Sequence, residues 1–333
     1  MSTRHLHKPR IAITIGDPAG IGPEITIKAL AKLGQLADFL LVGDFAVVKP
    51  FLKSGCRVNF VKEDKILFKN GFINIWDIGI INDRPIVRGK FDKLQAKAFL
   101  VYIEKAARLA LLKKIDALVT APINKEAAKR VGFTFPGHTE YLAHLTGTKV
   151  FGMMLIGCPL RVTLVTRHLA LKDVSKNLSK KDIINTTVLT HNALKRYFKI
   201  KSPNIGVAGL NPHAGDSGMF GNEEGSIIRP AVRYLNTKLK NIHGPIPADA
   251  LFRSAYNGRY DAVICMYHDQ GLIPLKMIAR DKGVNLTLGL PFVRTSPDHG
   301  TAYDIAAKGT ADPSSMIEAI RLACELSKNT RAC

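Results

Sequence analysis

Residues 261–271 read DAVICMYHDQG. Residues 262 to 267 are mostly apolar and β-prone, and the chain then turns polar at His268, Asp269, Gln270 and Gly271. An apolar run without polar alternation suits a strand buried on both faces, as in a parallel sheet. A polar ending closed by glycine suits the carboxyl end of such a strand, which is where open α/β sheets bind ligands. The same pattern recurs. IAITI (11–15), DALVTA (116–121), RVTLVT (161–166), NIGVAGL (204–210) and DAVICMY (261–267) are strand-like and run into polar, Gly- or Pro-bearing loops. DFLLVG (38–43) and VFGMMLIG (150–157) are two further strand-like runs.

Helix-like stretches alternate with these runs, at 22–33, 93–113, 181–198 and 314–328. In 93–113 the apolar residues recur near every 3.6 positions, with charges on the opposite face. Strands alternating with helices indicate the α/β class with a largely parallel sheet. The 333 residues suffice for two domains.

Composition excludes several classes. The net charge is +21, yet the lysines are dispersed through polar segments such as KNLSKKD and LKRYFKIKS. No aromatic RNA-binding signature, zinc finger or basic tail accompanies them, so no nucleic-acid partner is expected. A basic surface of this kind draws in anionic metabolites. No run approaches the roughly 18 apolar residues of a membrane helix. The basic N-terminal stretch is not followed by the apolar segment of a signal peptide, so a cytoplasmic location without a membrane partner is expected. The cysteines at 56, 158, 265, 324 and 333 form no CxxC pair, which argues against a disulfide framework or a zinc ribbon.

Three of the strand-end loops carry a histidine: His168, His213 and His268. Taken singly, each reads as a cap or turn residue. All three in one structural context point to a metal site, because imidazole suits zinc, cobalt, nickel, manganese or iron. Three protein ligands with an open position is a catalytic layout. Asp216, Asp249 and Asp269 are nearby acids able to orient ligands or move protons. PGHTEYL (136–142) places His138 and Thr139 at the start of a helix, which suits either an anion site or N-capping by Thr139. Lys276, Asn285 and Arg294 follow His268, and the two cations suit a phosphate or carboxylate clamp. GDPAGIGPE has glycines at 16, 20 and 22, the wrong spacing for a dinucleotide-binding Rossmann turn.

GDPAGIGPE (16–24) resembles the opening of the isocitrate and isopropylmalate dehydrogenases, and HGTAYDIAAKGTADP (299–313) resembles the cofactor loop of that superfamily. TAPINKEA, FPGHTEYLA, GLNPHAGDSGMFGNEE, GPIPADALF, MYHDQGLIPLK and VNLTLGLPFVRTSPDHGTA narrow the match. In order, they resemble motifs of the 4-hydroxythreonine-4-phosphate dehydrogenase (PdxA) family of vitamin B6 synthesis. With the flanking motifs they span residues 11 to 313.

The resemblance implies an isopropylmalate-dehydrogenase-like fold, two α/β/α domains around a cleft. Residues 1–135 plus 295–333 would form a terminal domain and 136–294 a central one. It implies a homodimer with the active site at the interface. It implies NAD or NADP held by loops including His299 and Gly300, and one divalent metal (Zn, Mg, Co or Mn) on His168, His213 and His268. His138, Thr139, Lys276, Asn285 and Arg294 match substrate contacts. Lys276, Asp269 and His138 are candidates for the base, with Lys276 placed first. The implied reaction oxidises the C3 hydroxyl of 4-phosphooxy-L-threonine and decarboxylates the product to 3-amino-2-oxopropyl phosphate. D-threonate or D-erythronate 4-phosphate is the alternative substrate. A phosphotransacetylase-like transferase would need no metal histidines. Two stretches depart from the family pattern: TRHLALKD (166–173), where something like THIPL is expected, and MIARDKGVN (277–285).

Overall fold

The computed structural model describes residues 8–82, 84–306 and 308–331. Its strands are β1 (Arg10–Thr14), β2 (Asp38–Gly43), β3 (Val58–Phe60), β4 (Ile73–Asp77), β5 (Ala117–Thr120) and β6 (Gly152–Gly157). They continue as β7 (Leu160–Leu164), β8 (Ile205–Ala208), β9 (Ile242–Ile246), β10 (Ala262–Cys265), β11 (Val284–Leu288) and β12 (Val293–Pro297). The chain divides into two compact units. One comprises the residues up to Lys149 together with those from Leu290 onward, and the other runs from Val150 to Gly289.

The terminal unit orders its strands β3-β4-β2-β1-β5-β12, all parallel. Residues 11–14 of β1 and all of β5 are buried. Successive side chains of a strand point to opposite faces, so both faces of this sheet are covered. The helix Lys93–Leu111 packs on β1, β2 and β5, and the helix Ser314–Arg331 packs on β5, β12 and the helix Gly22–Leu33. The Thr295 hydroxyl donates to the Ala319 carbonyl at 2.7 Å, joining β12 to that last helix.

The division differs from the expected boundaries near 136 and 294. The helix His138–Leu145 belongs with the terminal unit, where it packs against Lys93–Leu111. Its Tyr141 ring stacks edge-on to Phe133 at 5.0 Å. β12 is held in the same unit by its main-chain pairing with β5.

The central unit orders its strands β11-β6-β7-β10-β8-β9. β7, β10, β8 and β9 are parallel, whereas β6 is antiparallel to both its neighbours. A largely parallel sheet was expected throughout. The antiparallel part arises because only Cys158 and Pro159 separate β6 from β7, and so short a link makes a hairpin. β10 shows why residues 262–267 lack polar alternation. Val263 and Cys265 pack in one core with Leu251, Phe252, Leu272 and Leu275. Ala262, Ile264 and Met266 pack in another, with Ile183, Leu194, Ala231 and Leu235. Helices therefore cover both faces, and the expected α/β class holds.

Chain direction then makes a crevice. From β7 the chain leaves toward the helix Lys180–Arg196, which lies on one face of the sheet. From β10, the neighbour of β7, it leaves into the helix His268–Ala279 on the other face. Adjacent strands whose exits part in this way open a binding crevice at their carboxyl ends.

Among the described residues no helix is long and apolar enough to cross a membrane. Cys56, Cys158, Cys265 and Cys324 form no disulfide, and Cys333 lies outside the described residues.

Gly271 lets the helix after β10 sit tight on the sheet. A Cβ there would stand 2.6 Å from Val162 Cγ1 and 2.9 Å from Leu164 Cδ2. Gly271→Val should therefore lower the unfolding free energy in denaturant titrations by about 1–3 kcal/mol, through overpacking.

Candidate active site

The crevice holds a cavity of about 430 Å³, lined by Arg167, His168, Leu169, Leu171, Val174, Tyr267, His268 and Asp269. The segments that follow β7 and β10, loop residues and the first turns of the helices Leu171–Asn177 and His268–Ala279, supply all of these, and three interactions fix the strand ends. Thr166 Oγ1 donates to the Met266 carbonyl at 2.7 Å, tying the exit of β7 to that of β10. Gln270 Oε1 accepts from the Met266 amide at 2.7 Å. Its Nε2 donates to the Gly209 carbonyl at 2.6 Å, tying β10 to the exit of β8.

In this setting the His168 and His268 rings lie 5.7 Å apart, centre to centre. Asp269 Oδ1 meets His268 Nδ1 at 2.7 Å. That contact occupies one ring nitrogen and leaves Nε2 as the donor toward a ligand, the carboxylate–histidine arrangement common behind metal ligands. The four polar residues HDQG thus divide the work. His268 faces the cavity, Asp269 orients it, Gln270 braces the strand ends, and Gly271 allows close packing.

His213 follows β8, which pairs with β10 on the side away from β7. Its ring lies 6.2 Å from that of Phe220, and it does not line the cavity. Among the described residues no three His, Cys, Asp or Glu side chains form a group able to hold a metal. Two of the three expected residues, His168 and His268, stand together, and His213 stands in the next strand-end loop, outside the cavity. Asp216 and Asp249 are exposed. Lys276 lies two turns along the helix from His268 and is also exposed outside the cavity. Asn285, on β11, buries its side-chain carbonyl oxygen without a hydrogen-bond partner.

The terminal unit gathers a second set of expected residues. Arg294 is only 2% exposed, so it is no surface charge. Its guanidinium donates to Thr120 Oγ1, at the end of β5, at 2.6 Å. Burial lowers its pKa to about 10, while Glu140 favours the charged form. His138 begins its helix, with Nε2 buried and unpartnered. Its pKa falls well below the ordinary value because of burial, then because of the charges of Arg294 and Lys125. The imidazole is therefore neutral near neutral pH. Thr139 is buried and does not cap the helix; Gly137 holds the cap position. Sequence reasoning missed Lys125 and Thr120, although both lie in the strand-end motif around TAPINKEA. Two cations about a neutral imidazole can hold an anionic group.

The loop carrying His299 and Gly300 packs back on the exit of β1. The Ile21 amide donates to the Thr301 carbonyl at 3.0 Å, and the Tyr303 hydroxyl donates to Asp17 Oδ2 at 2.6 Å. Burial raises the Asp17 pKa, opposed by its bonds from Tyr303 and the Ala19 amide. Asp17 and Tyr303 were not singled out in the sequence, though GDPAGIGPE contains the aspartate. His299 and Gly300 are exposed, and a Cβ at Gly300 would meet nothing within 4 Å.

Comparison with known proteins bears on this arrangement. The family model described as pyridoxal phosphate biosynthetic protein PdxA matches residues 35–323. The chain belongs to the PdxA family. The 4-hydroxythreonine-4-phosphate dehydrogenase of Geobacter metallireducens is 46% identical, with 96% of each chain covered. The D-threonate 4-phosphate dehydrogenase of Cupriavidus necator is 43% identical, over 96% of this chain and 97% of that one. Among solved structures, the 4-hydroxythreonine-4-phosphate dehydrogenase of Klebsiella pneumoniae is similar at a TM-score of 0.87 and 39% identity. That likeness covers 96% of this chain and 99% of that one. Two substrates thus occur among PdxA relatives of similar identity.

His138 gives a pH test. Its imidazole resists protonation in the folded state and accepts a proton readily once unfolded. Below the ordinary value of 6.5 the unfolded state binds more protons, so stability falls as pH falls. Thermal midpoints measured between about pH 8 and about pH 5 should drop less steeply for His138→Gln than for the parent.

Proposed function

We propose that this PdxA-family chain oxidises the C3 hydroxyl of 4-phosphooxy-L-threonine, with decarboxylation to 3-amino-2-oxopropyl phosphate, in pyridoxal 5'-phosphate synthesis. The observation that carries the reading is the pairing of His168 and His268 in the cavity at the crevice, with His268 oriented by Asp269. This donor chemistry fits zinc, cobalt or manganese better than magnesium, which prefers oxygen ligands, with His213 of the neighbouring loop as the third ligand.

When bound, the ion supplies a Lewis acid for the C3 hydroxyl, and NAD or NADP supplies the hydride acceptor. His299 and Gly300 would flank the dinucleotide. Arg294, with His138 and Lys125 near it, would hold an anionic end of the substrate, and Thr139 and Asn285 are further candidates for substrate contacts. Asp269 is engaged on His268, so its role here is orientation. Lys276, the first of the candidate bases, is taken as the acceptor of the hydroxyl proton, with the neutral imidazole of His138 as the alternative. The proton goes to Lys276, the hydride passes from C3 to the nicotinamide, the resulting β-keto acid loses its carboxylate as carbon dioxide, and the enolate left behind takes up a proton to give 3-amino-2-oxopropyl phosphate.

Lys276 shares an exposed face with Ile273 and Met277, and the histidine loops expose Leu169, Leu171, Met219 and Phe220. These apolar residues support a homodimer with the active site at its interface. A cytoplasmic location belongs to the same reading.

One observation favours a second substrate. Arg167 lines the cavity beside His168, with its guanidinium 5.4 Å from the Phe151 ring centre. A fixed cation there disfavours the ammonium of an amino acid and tolerates the hydroxyl of D-threonate or D-erythronate 4-phosphate.

NADH or NADPH formation with both substrate classes, with and without chelator, separates the readings. Chelator-sensitive preference for the amino acid is expected, and preference for the hydroxy acid would move the reaction to sugar-acid breakdown. Arg294→Ala should lower kcat/KM roughly tenfold or more; an unchanged value would remove Arg294 from the site.

A further inference from the structure

The loop after β8 is built against the normal preference of L-residues. His213, Ala214, Gly215, Asp216 and Ser217 have φ of 55°, 54°, 81°, 40° and 57°. Four of the five are not glycine, and each left-handed L-residue crowds its Cβ against the following carbonyl. A run of this kind persists only where surrounding structure over-determines it, and such strain concentrates at functional sites.

What over-determines it is Glu224, a carboxylate only 3% exposed. Its Oε1 accepts from the amides of both Leu210 and Asn211 at 2.7 Å. Its Oε2 accepts from Asn211 Nδ2 at 3.0 Å. Asn211 is where the turn begins, and its carbonyl accepts from the Ala214 amide at 3.1 Å. Two glycines admit the carboxylate. A Cβ on Gly215 would lie 2.6 Å from Glu224 Oε2, and one on Gly209 would lie 3.2 Å from Oε1. Glu224 itself opens a π-helical turn, Glu224–Ile228, a wide turn frequent at functional sites. The next acid is tied in as well: Glu223 Oε2 accepts from Asn211 Nδ2 at 2.8 Å, and its other oxygen accepts from Ser175 on the helix Leu171–Asn177. That helix contributes Leu171 and Val174 to the cavity wall.

We propose that Glu224 is a positioning residue whose buried carboxylate locks the left-handed turn at 213–217 and so fixes how His213 is presented. The proposal rests on the reading of His213 as a metal ligand. The lock works through the backbone: with Leu210 and Asn211 pinned, the chain enters the turn in one direction only. A misdirected ligand lowers metal affinity even when all ligands are present.

Glu224→Ala, Glu224→Gln and Gly215→Ala are compared with the full-length parent in two measurements. The first is amide hydrogen exchange at residues 210–217 without metal. The second is Co²⁺ titration by calorimetry and visible absorption without substrate. Glu224→Ala should speed exchange at Leu210 and Asn211 and weaken Co²⁺ binding about 10- to 100-fold. Glu224→Gln keeps an oxygen for both backbone amides but sets its own amide nitrogen against the donor Asn211 Nδ2, so both readouts should fall between those of Glu224→Ala and the parent. If Glu224→Ala does not fold, Gly215→Ala, which displaces the carboxylate, should weaken Co²⁺ binding in its place.

Unchanged exchange in Glu224→Ala would overturn the lock. Faster exchange with unchanged Co²⁺ affinity and absorption would overturn the positioning role. His213→Ala in the parent background separates the two levels. If it leaves Co²⁺ affinity unchanged, the metal reading has failed and takes the positioning role with it, while the exchange data still decide the lock.

Discussion

The central constraint is the burial of β10 between β7 and β8. Both faces of this strand are covered, so its main-chain groups must be satisfied by parallel neighbours. That pairing aligns three strand ends, and the opposite exits of β7 and β10 then open the crevice. Everything proposed for the histidines follows from it. His168 and His268 meet because Leu164 and Cys265 are in register. Gln270 and Thr166 convert this alignment into hydrogen bonds between the loops.

The two units handle charge differently. The central unit keeps its chemistry in an open cavity, with Asp269 more exposed than the histidine it orients. The terminal unit buries Arg294 almost completely and keeps His138 neutral beside it. A cation deprived of water favours an anionic ligand, because the ligand restores part of the lost solvation. The central unit thus carries imidazoles at its strand ends, and the terminal unit carries a buried cation beside a neutral imidazole.

Much of this was legible in the sequence because period and composition report burial directly. β10, β5 and β8 stand where apolar runs predict them, and the polar endings mark the loops that matter. Tertiary partners were less legible. The depth of Arg294 depends on β12 pairing with β5 across 174 residues of sequence from Thr120, which no local pattern records. Thr139 reads as a helix cap, yet the chain enters that helix through Gly137 in an extended conformation. Lys125 reads as one lysine among many until His138 is placed beside it. The left-handed turn was hidden because, apart from Gly215, its residues carry at most a mild tendency to positive φ, as His213 and Asp216 do. Its determinant, Glu224, lies outside the turn in sequence. The β6–β7 hairpin was missed because both runs look equally apolar, and only the short link between them distinguishes antiparallel from parallel.

The most direct measurement is X-ray absorption at the cobalt edge of the Co²⁺-loaded protein, repeated on His168→Ala, His213→Ala and His268→Ala. Three imidazole nitrogens in the first shell are expected, with one lost in each variant. A shell with fewer imidazoles that does not change on substitution of these residues would contradict a single metal held by three strand-end histidines.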